Sequence, residues 1–256
     1  MPTAPDSPEL TQPPKRGGRM AEDAAVQEVP VWLEVNGVPA VTWMCTPAQL
    51  EELAVGWLAG EGYITAIEEL TLRPCATDLG FWATVPEARV EALRQQGRRT
   101  VLASGCGAVS AWMAEVVPRR ARGGTALPAP AALRELFKAL FARGERYRDT
   151  GGIHAAALTD GATLLAHAED IGRHNAVDKV IGAMLLARQA VVGHGLLVTG
   201  RISAELAAKA AHAGLAWVAT PSVPSTLAVE IAVAAGMTLI GRAVSAAPGF
   251  HPAPAP

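Results

Sequence analysis

A strand that turns directly into a helix is the feature that most constrains this chain. Leu164 and Leu165 are typical of a short strand, and Gly172 then opens a turn. Apolar residues follow at helical spacing: Val177, Val180, Ile181, Met184 and Leu185. This spacing predicts a helix, and the unpaired N–H groups of its first turn make an anion site. Arg173, His174 and Asn175 would add donors there. A well-capped surface helix that binds nothing explains the same spacing.

Length and composition exclude several classes of protein. The 256 residues suffice for one large or two small domains. Half of all residues are apolar and only 18% are charged, which predicts a substantial core. Three scattered cysteines without a CxxC pair exclude a disulfide framework and a zinc ribbon. We find no apolar signal core and no apolar run of membrane length, so we expect a cytoplasmic protein that does not enter a membrane. Aromatic platforms interleaved with basic residues are absent, which argues against nucleic acid.

Charge is distributed unevenly along the chain. The net charge is −2, yet residues 87–149 contain twelve Lys and Arg against six Asp and Glu. A basic middle suits an anionic ligand or an acidic partner protein. An arginine-rich, solvated surface explains the same excess.

The chain divides into a tail and two domains. Residues 1–27 are rich in Pro, Gly and charge, and we expect a disordered tail. Residues 28–125 predict a smaller α+β domain, which begins with a hairpin around Asn36-Gly37. After it, Thr46 is expected to cap a helix in which Pro47 takes the first position and Gln49 completes a capping box.

Residues 126–256 alternate strand and helix signals, with Ser203 and Ser225 as helix caps. This alternation predicts a layered α/β domain with a largely parallel sheet. Ligands of such sheets collect at the carboxyl ends of the strands. Those ends carry residues 170–175 and the pairs Gly200-Arg201, Pro221-Ser222 and Gly241-Arg242.

The leading reactive residue is the cysteine in Ser104-Gly105-Cys106-Gly107. Glycine on both sides makes an open loop, and nearby arginines would favour the thiolate. A lone cysteine is otherwise a small buried hydrophobe, which we expect for Cys45, and we favour a structural role for Cys75. His167-Ala168-Glu169 matches half of a zinc deaminase signature, but its Pro-Cys-x-x-Cys half is missing, so we expect no metal site.

Taken together, the motifs resemble the formate dehydrogenase accessory sulfurtransferase family, FdhD. The segments that carry the resemblance run in order along the chain: Glu28-Val29-Pro30-Val31 with Asn36-Gly37, Thr46-Pro47 through Gly60-Glu61-Gly62, Ser104-Gly105-Cys106-Gly107, Thr150-Gly151-Gly152-Ile153-His154-Ala155-Ala156, Glu169-Asp170-Ile171-Gly172-Arg173-His174-Asn175-Ala176-Val177-Asp178-Lys179, Gly200-Arg201-Ile202-Ser203 and Ser225-Thr226-Leu227-Ala228-Val229-Glu230.

The resemblance implies a homodimeric sulfurtransferase with a cytidine-deaminase-like C-terminal domain. A cysteine desulfurase would load sulfur onto Cys106 as a persulfide. The sulfur would then pass to the bis(molybdopterin guanine dinucleotide) molybdenum cofactor, of which GDP is a fragment, before insertion into formate dehydrogenase. The family's cofactor-binding stretch maps to Arg242, Ala243, Val244, Ser245, Ala246 and Ala247. We add Arg173, His174 and Asn175 as cofactor-binding candidates.

The chain departs from the family pattern at two places. Many members have a second cysteine three residues after the first, where this chain has Val109, so Cys106 would act alone. The stretch that begins at Arg242 lacks the usual aromatic and Asn-rich ending. The alternative function is a non-catalytic chaperone that binds the finished cofactor and delivers it to formate dehydrogenase.

Overall fold

The computed structural model describes residues 25–95, 99–102, 109–112 and 124–252. The first 24 residues of the predicted tail and the Cys106 loop lie outside these described residues. Within the described ranges, no helix is long and apolar enough to span a membrane.

A four-stranded sheet with two helices packed on it forms the first part of the chain. Its elements are β1 Val29–Val35, β2 Val38–Cys45, α1 Leu50–Gly60, β3 Thr71–Pro74, β4 Gly80–Thr84 and α2 Glu87–Gln95. The strand order is β2-β1-β4-β3. Asn36 and Gly37 have φ of 48° and 79°, which the tight turn between two antiparallel strands requires, so the hairpin prediction is confirmed.

The predicted helix cap at Thr46 is wrong. Helix α1 begins at Leu50, after Gln49 in the left-handed region at φ 53°. Thr46 is instead held by distant partners: its N–H donates to Asp170 at 3.1 Å, and its hydroxyl accepts from the Ile171 N–H at 3.1 Å. These long-range hydrogen bonds replace the local cap.

Two short strands lie on either side of the Cys106 loop. They are β5 Arg99–Leu102 and β6 Val109–Trp112, and they pair antiparallel with each other. Val109, which stands at the family's second cysteine position, is thus the first residue of β6.

The second part of the chain is a mixed sheet between two layers of helices. Its elements are α3 Pro130–Arg143, α4 Glu145–Thr150, β7 His154–Thr159, β8 Leu164–Asp170, α5 Arg173–Leu186, β9 Gly195–Val198, α6 Ala204–His212, β10 Trp217–Ala219, α7 Thr226–Ala235, β11 Thr238–Gly241 and β12 Gly249–His251. Helices α5, α6 and α7 bury one face of the sheet, and α3 buries the other. The α/β prediction is confirmed, as are the caps by Ser203 and Ser225.

Strand direction differs from the prediction of a largely parallel sheet. The order is β12-β11-β10-β9-β7-β8, and the only neighbouring pairs that are parallel in this sheet are β9–β10 and β10–β11. Strand β7 is antiparallel to both of its neighbours, because a short hairpin joins it to β8. As a result, the start of β7 lies beside the carboxyl end of β9.

Helices α1 and α5 cross closely and so join the four-stranded sheet to the six-stranded sheet. A methyl group on Gly56 would lie 1.8 Å from the Asp178 carbonyl oxygen, and one on Gly182 would lie 1.9 Å from that of Glu52. At this contact each helix has a glycine, so backbone packs directly on backbone. The two helix axes therefore lie closer together than they could with side chains between them.

The crossing predicts that Gly56→Ala destabilises the fold. We expect the free energy of unfolding to fall by about 2 kcal/mol, because overpacking outweighs the ~1 kcal/mol that alanine adds to a helix. Urea denaturation measures the change. Gly60→Ala in the same helix is the control, since its methyl would come no closer than 3.3 Å to the Lys209 side chain and 3.6 Å to an Asp178 carboxylate oxygen. Equal losses in both variants would contradict the close crossing.

Candidate functional site at the strand ends

The start of α5 has the predicted strand–turn–helix form. Gly172 is the N-cap residue after β8, and the helix begins at Arg173. Most of its side chains are buried, including Arg173 and Lys179. The alternative of a surface helix is therefore wrong, and α5 is a central element of the molecule.

A buried ion pair fixes this turn to the first sheet. Lys179 Nζ donates to Asp170 at 2.5 Å and to the Thr46 carbonyl at 3.0 Å, and both charged side chains are fully buried. Asp170 also accepts hydrogen bonds from the N–H groups of Thr46 and Gly172. These hydrogen bonds reach both carboxylate oxygens and offset the cost of burying the side chain.

Asn175 and His174 make hydrogen bonds within the protein. The Asn175 amide donates to the Met44 carbonyl at 3.1 Å and to Asp170 at 3.0 Å. His174 Nε2 lies 3.2 Å from the Ser203 hydroxyl and 3.4 Å from a Glu205 oxygen. These contacts hold the turn in place, and the prediction that the two residues bind a cofactor stays a prediction.

His174 is neutral despite its contact with Glu205. Burial, followed by the positive charges of Lys209 and Arg173, lowers the pKa of His174 to about 3. The short distance to the carboxylate therefore marks a polar contact between a neutral ring and Glu205, and not an ion pair at pH 7. A neutral imidazole adds no positive charge here, so Arg173 is the cation at the start of α5.

Hydrogen bonds join the carboxyl ends of the parallel strands to one another. The Thr220 hydroxyl donates to the Gly200 carbonyl at 2.7 Å, and the Ala243 N–H donates to the Thr220 carbonyl at 2.9 Å. The Arg242 N–H donates to the Ser222 carbonyl at 2.7 Å. The loops after β9, β10 and β11 therefore form one edge.

The predicted cofactor-binding stretch forms a turn on this edge. Arg242 is exposed and left-handed at φ 50°, while Ala243 is fully buried. Val244, Ala246 and Ala247 are exposed, and the N–H of Ser245 donates to the Arg242 carbonyl. The stretch thus lies beside the other strand ends, and its ligand contacts remain a prediction.

His154 reaches the same edge because β7 is antiparallel. Its Nδ1 lies 3.4 Å from the Thr199 hydroxyl, which accepts from the Ala155 N–H at 3.0 Å. Burial, and then the charge of Arg173, lowers the pKa of His154. A methyl group on Gly200 would lie 3.3 Å from His154 Cε1 and 3.1 Å from Arg173 Cδ. His154 and Arg173 therefore face the same point on the Gly200 backbone.

The described cysteines have contrasting surroundings. Cys45 is fully buried, as expected, and burial followed by the charge of Asp170 raises the pKa of its thiol to about 12. Cys75 lies in the turn between β3 and β4, with its sulfur 3.5 Å from the Thr77 hydroxyl oxygen. The hydrogen bond between these two side chains is the largest of the effects that lower the pKa of Cys75. Cys106 lies outside the described residues.

Two cavities lie in different parts of the molecule. One of about 490 Å³ opens at the strand ends, between the end of α3 and the start of β7. The other, of about 510 Å³, lies at the C-terminal end of α5, near Arg89, Leu185 and Arg188. Only the first adjoins the strand-end donors. Sequence reasoning missed its wall residue Phe141, since the periodicity of α3 predicts only a core-facing helix.

Fold and site together define a mixed α/β protein with a cationic, hydrogen-bonding edge where the strands end. The FdhD/NarQ family model matches residues 26–248, and the chain belongs to this family.

Individual relatives agree with that assignment. Two proteins named sulfur carrier protein FdhD align well: that of Burkholderia mallei is 36% identical over 185 residues, which cover 65% of this chain and 67% of that protein. That of Bacillus subtilis is 37% identical over 164 residues, 62% of each chain. A crystal structure described as a formate dehydrogenase accessory protein from Desulfotalea psychrophila has a TM-score of 0.68 at 24% identity, covering 89% of this chain and 88% of that one. This last likeness supports the fold.

The buried pair predicts that Lys179→Met strongly destabilises the protein. We expect a loss of about 3–5 kcal/mol in the free energy of unfolding, because Asp170 is left charged and buried without its cation. Urea denaturation at pH 7 measures it. Lys138→Met is the control, since that side chain is 78% exposed, and we expect under ~0.5 kcal/mol. A similar small loss for Lys179→Met would show that the pair does not hold the turn.

Proposed function

We propose that this chain is a sulfur carrier required for formate dehydrogenase activity. The observation that carries the proposal is membership of the FdhD/NarQ family over residues 26–248, a range that includes the glycine-flanked Cys106. Relatives named sulfur carrier proteins support the same role. The proposed location is the cytoplasm, where thiols stay reduced, and the proposed assembly is a homodimer.

The first proposed step loads sulfur onto Cys106. The Cys106 thiolate attacks the outer sulfur of a persulfide on a cysteine desulfurase. The sulfur–sulfur bond of the donor breaks, the desulfurase thiolate leaves, and Cys106 becomes the persulfide. Sulfur keeps its oxidation level, so this exchange needs no external oxidant.

The second proposed step passes the outer sulfur to the molybdenum of the bis(molybdopterin guanine dinucleotide) cofactor, which is the substrate. The sulfur accepts two electrons and becomes sulfide while molybdenum(IV) is oxidised to molybdenum(VI). The Cys106 thiolate is released, ready for another round. The protein supplies the carrier thiol and the binding surface, while the metal supplies the electrons.

The strand-end edge is the proposed cofactor surface. The cofactor is large and carries several phosphates, which suit charge-assisted hydrogen bonds from arginine and from a helix start. Arg173 is the cation at the start of α5, and Arg242 lies exposed on the same edge. The fixed loops after β9, β10 and β11 would keep these donors in place before the cofactor arrives.

The second candidate is a non-catalytic chaperone that holds the finished cofactor. It is favoured by Val109, because a chain without the second cysteine has no partner thiol in this loop for a relay. This function requires cofactor binding but no sulfur on Cys106. The sulfur carrier and the chaperone therefore predict different effects of removing the Cys106 thiol.

The sulfur-carrier proposal predicts that Cys106→Ala abolishes activation of formate dehydrogenase. A strain lacking its own carrier and supplied with the variant should show the activity of the empty-vector strain, because no persulfide can form. Cys75→Ala is the matched control, and we expect it to retain at least about half of the activity, since its thiol lies in a separate turn. Full activity with Cys106→Ala would favour the chaperone.

The proposed cofactor surface predicts that Arg173→Ala weakens GDP binding. We expect an increase in Kd of about tenfold or more in calorimetry, as loss of a charged hydrogen-bond donor produces. Arg173→Lys keeps the charge and should retain part of the affinity. Arg188→Ala, at the other end of α5 and 72% exposed, is the control. An unchanged Kd for Arg173→Ala would remove this residue from the surface.

A further inference from the structure

We infer that the cavity at the C-terminal end of α5 binds a small organic cation with an apolar body. This helix-end cavity is separate from the strand-end edge, and its volume of about 510 Å³ lies within the range of small-molecule sites. The inference goes beyond the proposed function, because it uses neither Cys106 nor the residues of the proposed cofactor surface.

The walls of the helix-end cavity are largely apolar. Ile181 and Leu185 lie one turn apart on α5, and they line it together with Ile64 and Val191 from the loops that follow α1 and α5. Ile64, Ile181 and Val191 are buried, so packing holds this part of the lining in place. A ligand with an apolar body displaces water from these side chains, which favours its binding.

Three helices end at this cavity. Its lining includes Ala59 of α1, Leu185 of α5 and His212 of α6, and each of them lies in the last turn of its helix. The C-terminus of a helix carries roughly half a negative charge. Three such ends give the cavity a negative potential, which attracts a cation.

The sequence does not balance this potential in the usual way. Lysine and arginine are favoured in the last turn of a helix, yet α1 and α5 have no basic residue there. The last turn of α6 contains Lys209 and His212, but Lys209 is paired with Asp178 through both carboxylate oxygens. A bound cation would therefore supply the charge that these helix ends lack.

Glu61 adds a carboxylate where a helix disfavours one. It is the C-cap residue of α1, and it lines the cavity. The negative end of the helix dipole repels a negative side chain at this position. A residue that breaks a local rule in this way indicates a functional site, because the electrostatic cost is recovered when a cation binds.

The two arginines that line the cavity are each paired with a carboxylate. Arg89 donates to the Thr65 hydroxyl at 2.9 Å and to Glu69 at 3.3 Å. Arg188 pairs with Glu68. These arginines neutralise the two glutamates and leave the negative potential of the helix ends in place, so an amine fits the cavity better than a carboxylate does.

The test is calorimetry of the full chain with three probes that share one apolar body: phenylbutylamine, phenylbutanol and phenylbutyrate. We expect the amine to bind at least about tenfold more tightly than the carboxylate, with the neutral alcohol between them, because the probes differ mainly in charge. Equal affinities for the amine and the carboxylate, or tighter binding of the carboxylate, would overturn the inference.

A charge-removing variant locates the bound amine. Glu61→Gln should raise the Kd for the amine about fivefold and change the Kd for the alcohol less than about twofold, because it removes the charge and keeps the shape. Retained binding of the alcohol also shows that the variant is folded. Glu135→Gln on α3, where the side chain is 75% exposed, is the matched control.

An unchanged Kd for the amine in Glu61→Gln would overturn the assignment to this cavity. An equal loss of affinity for the alcohol, or an equal loss for the amine in Glu135→Gln, would do the same.

Discussion

The buried contact between Lys179 and Asp170 is the interaction on which the rest of the structure depends. It lies where the end of β2, the end of β8 and the first two turns of α5 meet, and Thr46 joins it through both its N–H and its carbonyl. Removing two charges from water is costly, so the pair is stable only while every partner stays in place. This requirement fixes the start of α5 relative to the first sheet, and with it the position of Arg173.

The close crossing of α1 and α5 also fixes α5 relative to the first sheet. Gly56 and Gly182 let the two helices approach, while the polar network fixes their register at one end. A second buried pair, in which Lys209 donates to both Asp178 oxygens at 2.6 and 2.7 Å, ties α6 to α5. Burial raises the pKa of Asp178 to about 6, against the opposing effect of the nearby Lys209 charge. The proposed cofactor surface therefore rests on helices that are tied together by two buried ion pairs.

Local signals in the sequence predicted the individual helices and strands better than they predicted long-range contacts and strand direction. Asn36-Gly37 specifies its hairpin because only residues that tolerate positive φ form that turn. The start of α5 was predictable from a glycine and a run of apolar positions. The cap at Thr46 failed because its true partners lie more than 120 residues away in the chain. Strand direction failed for β7 because alternation of strands and helices does not distinguish a hairpin from a crossover.

The candidate site was predicted in outline and missed in detail. The strand ends were expected to meet, and hydrogen bonds among Gly200, Thr220 and Ala243 hold them together. The sequence could not identify Phe141 and His154 as cavity residues. An ordinary exposed aromatic on a helix and an ordinary core histidine give the same sequence pattern. What distinguishes them is the cavity between α3 and β7, which only the packed structure reveals.

The most direct test of the account is the intact mass of the protein after incubation with a cysteine desulfurase and L-cysteine. A sulfur carrier gains about 32 Da, one sulfur atom, in the wild type and nothing in Cys106→Ala. No gain in the wild type, or a gain that persists without Cys106, would contradict the claim that this thiol carries the sulfur.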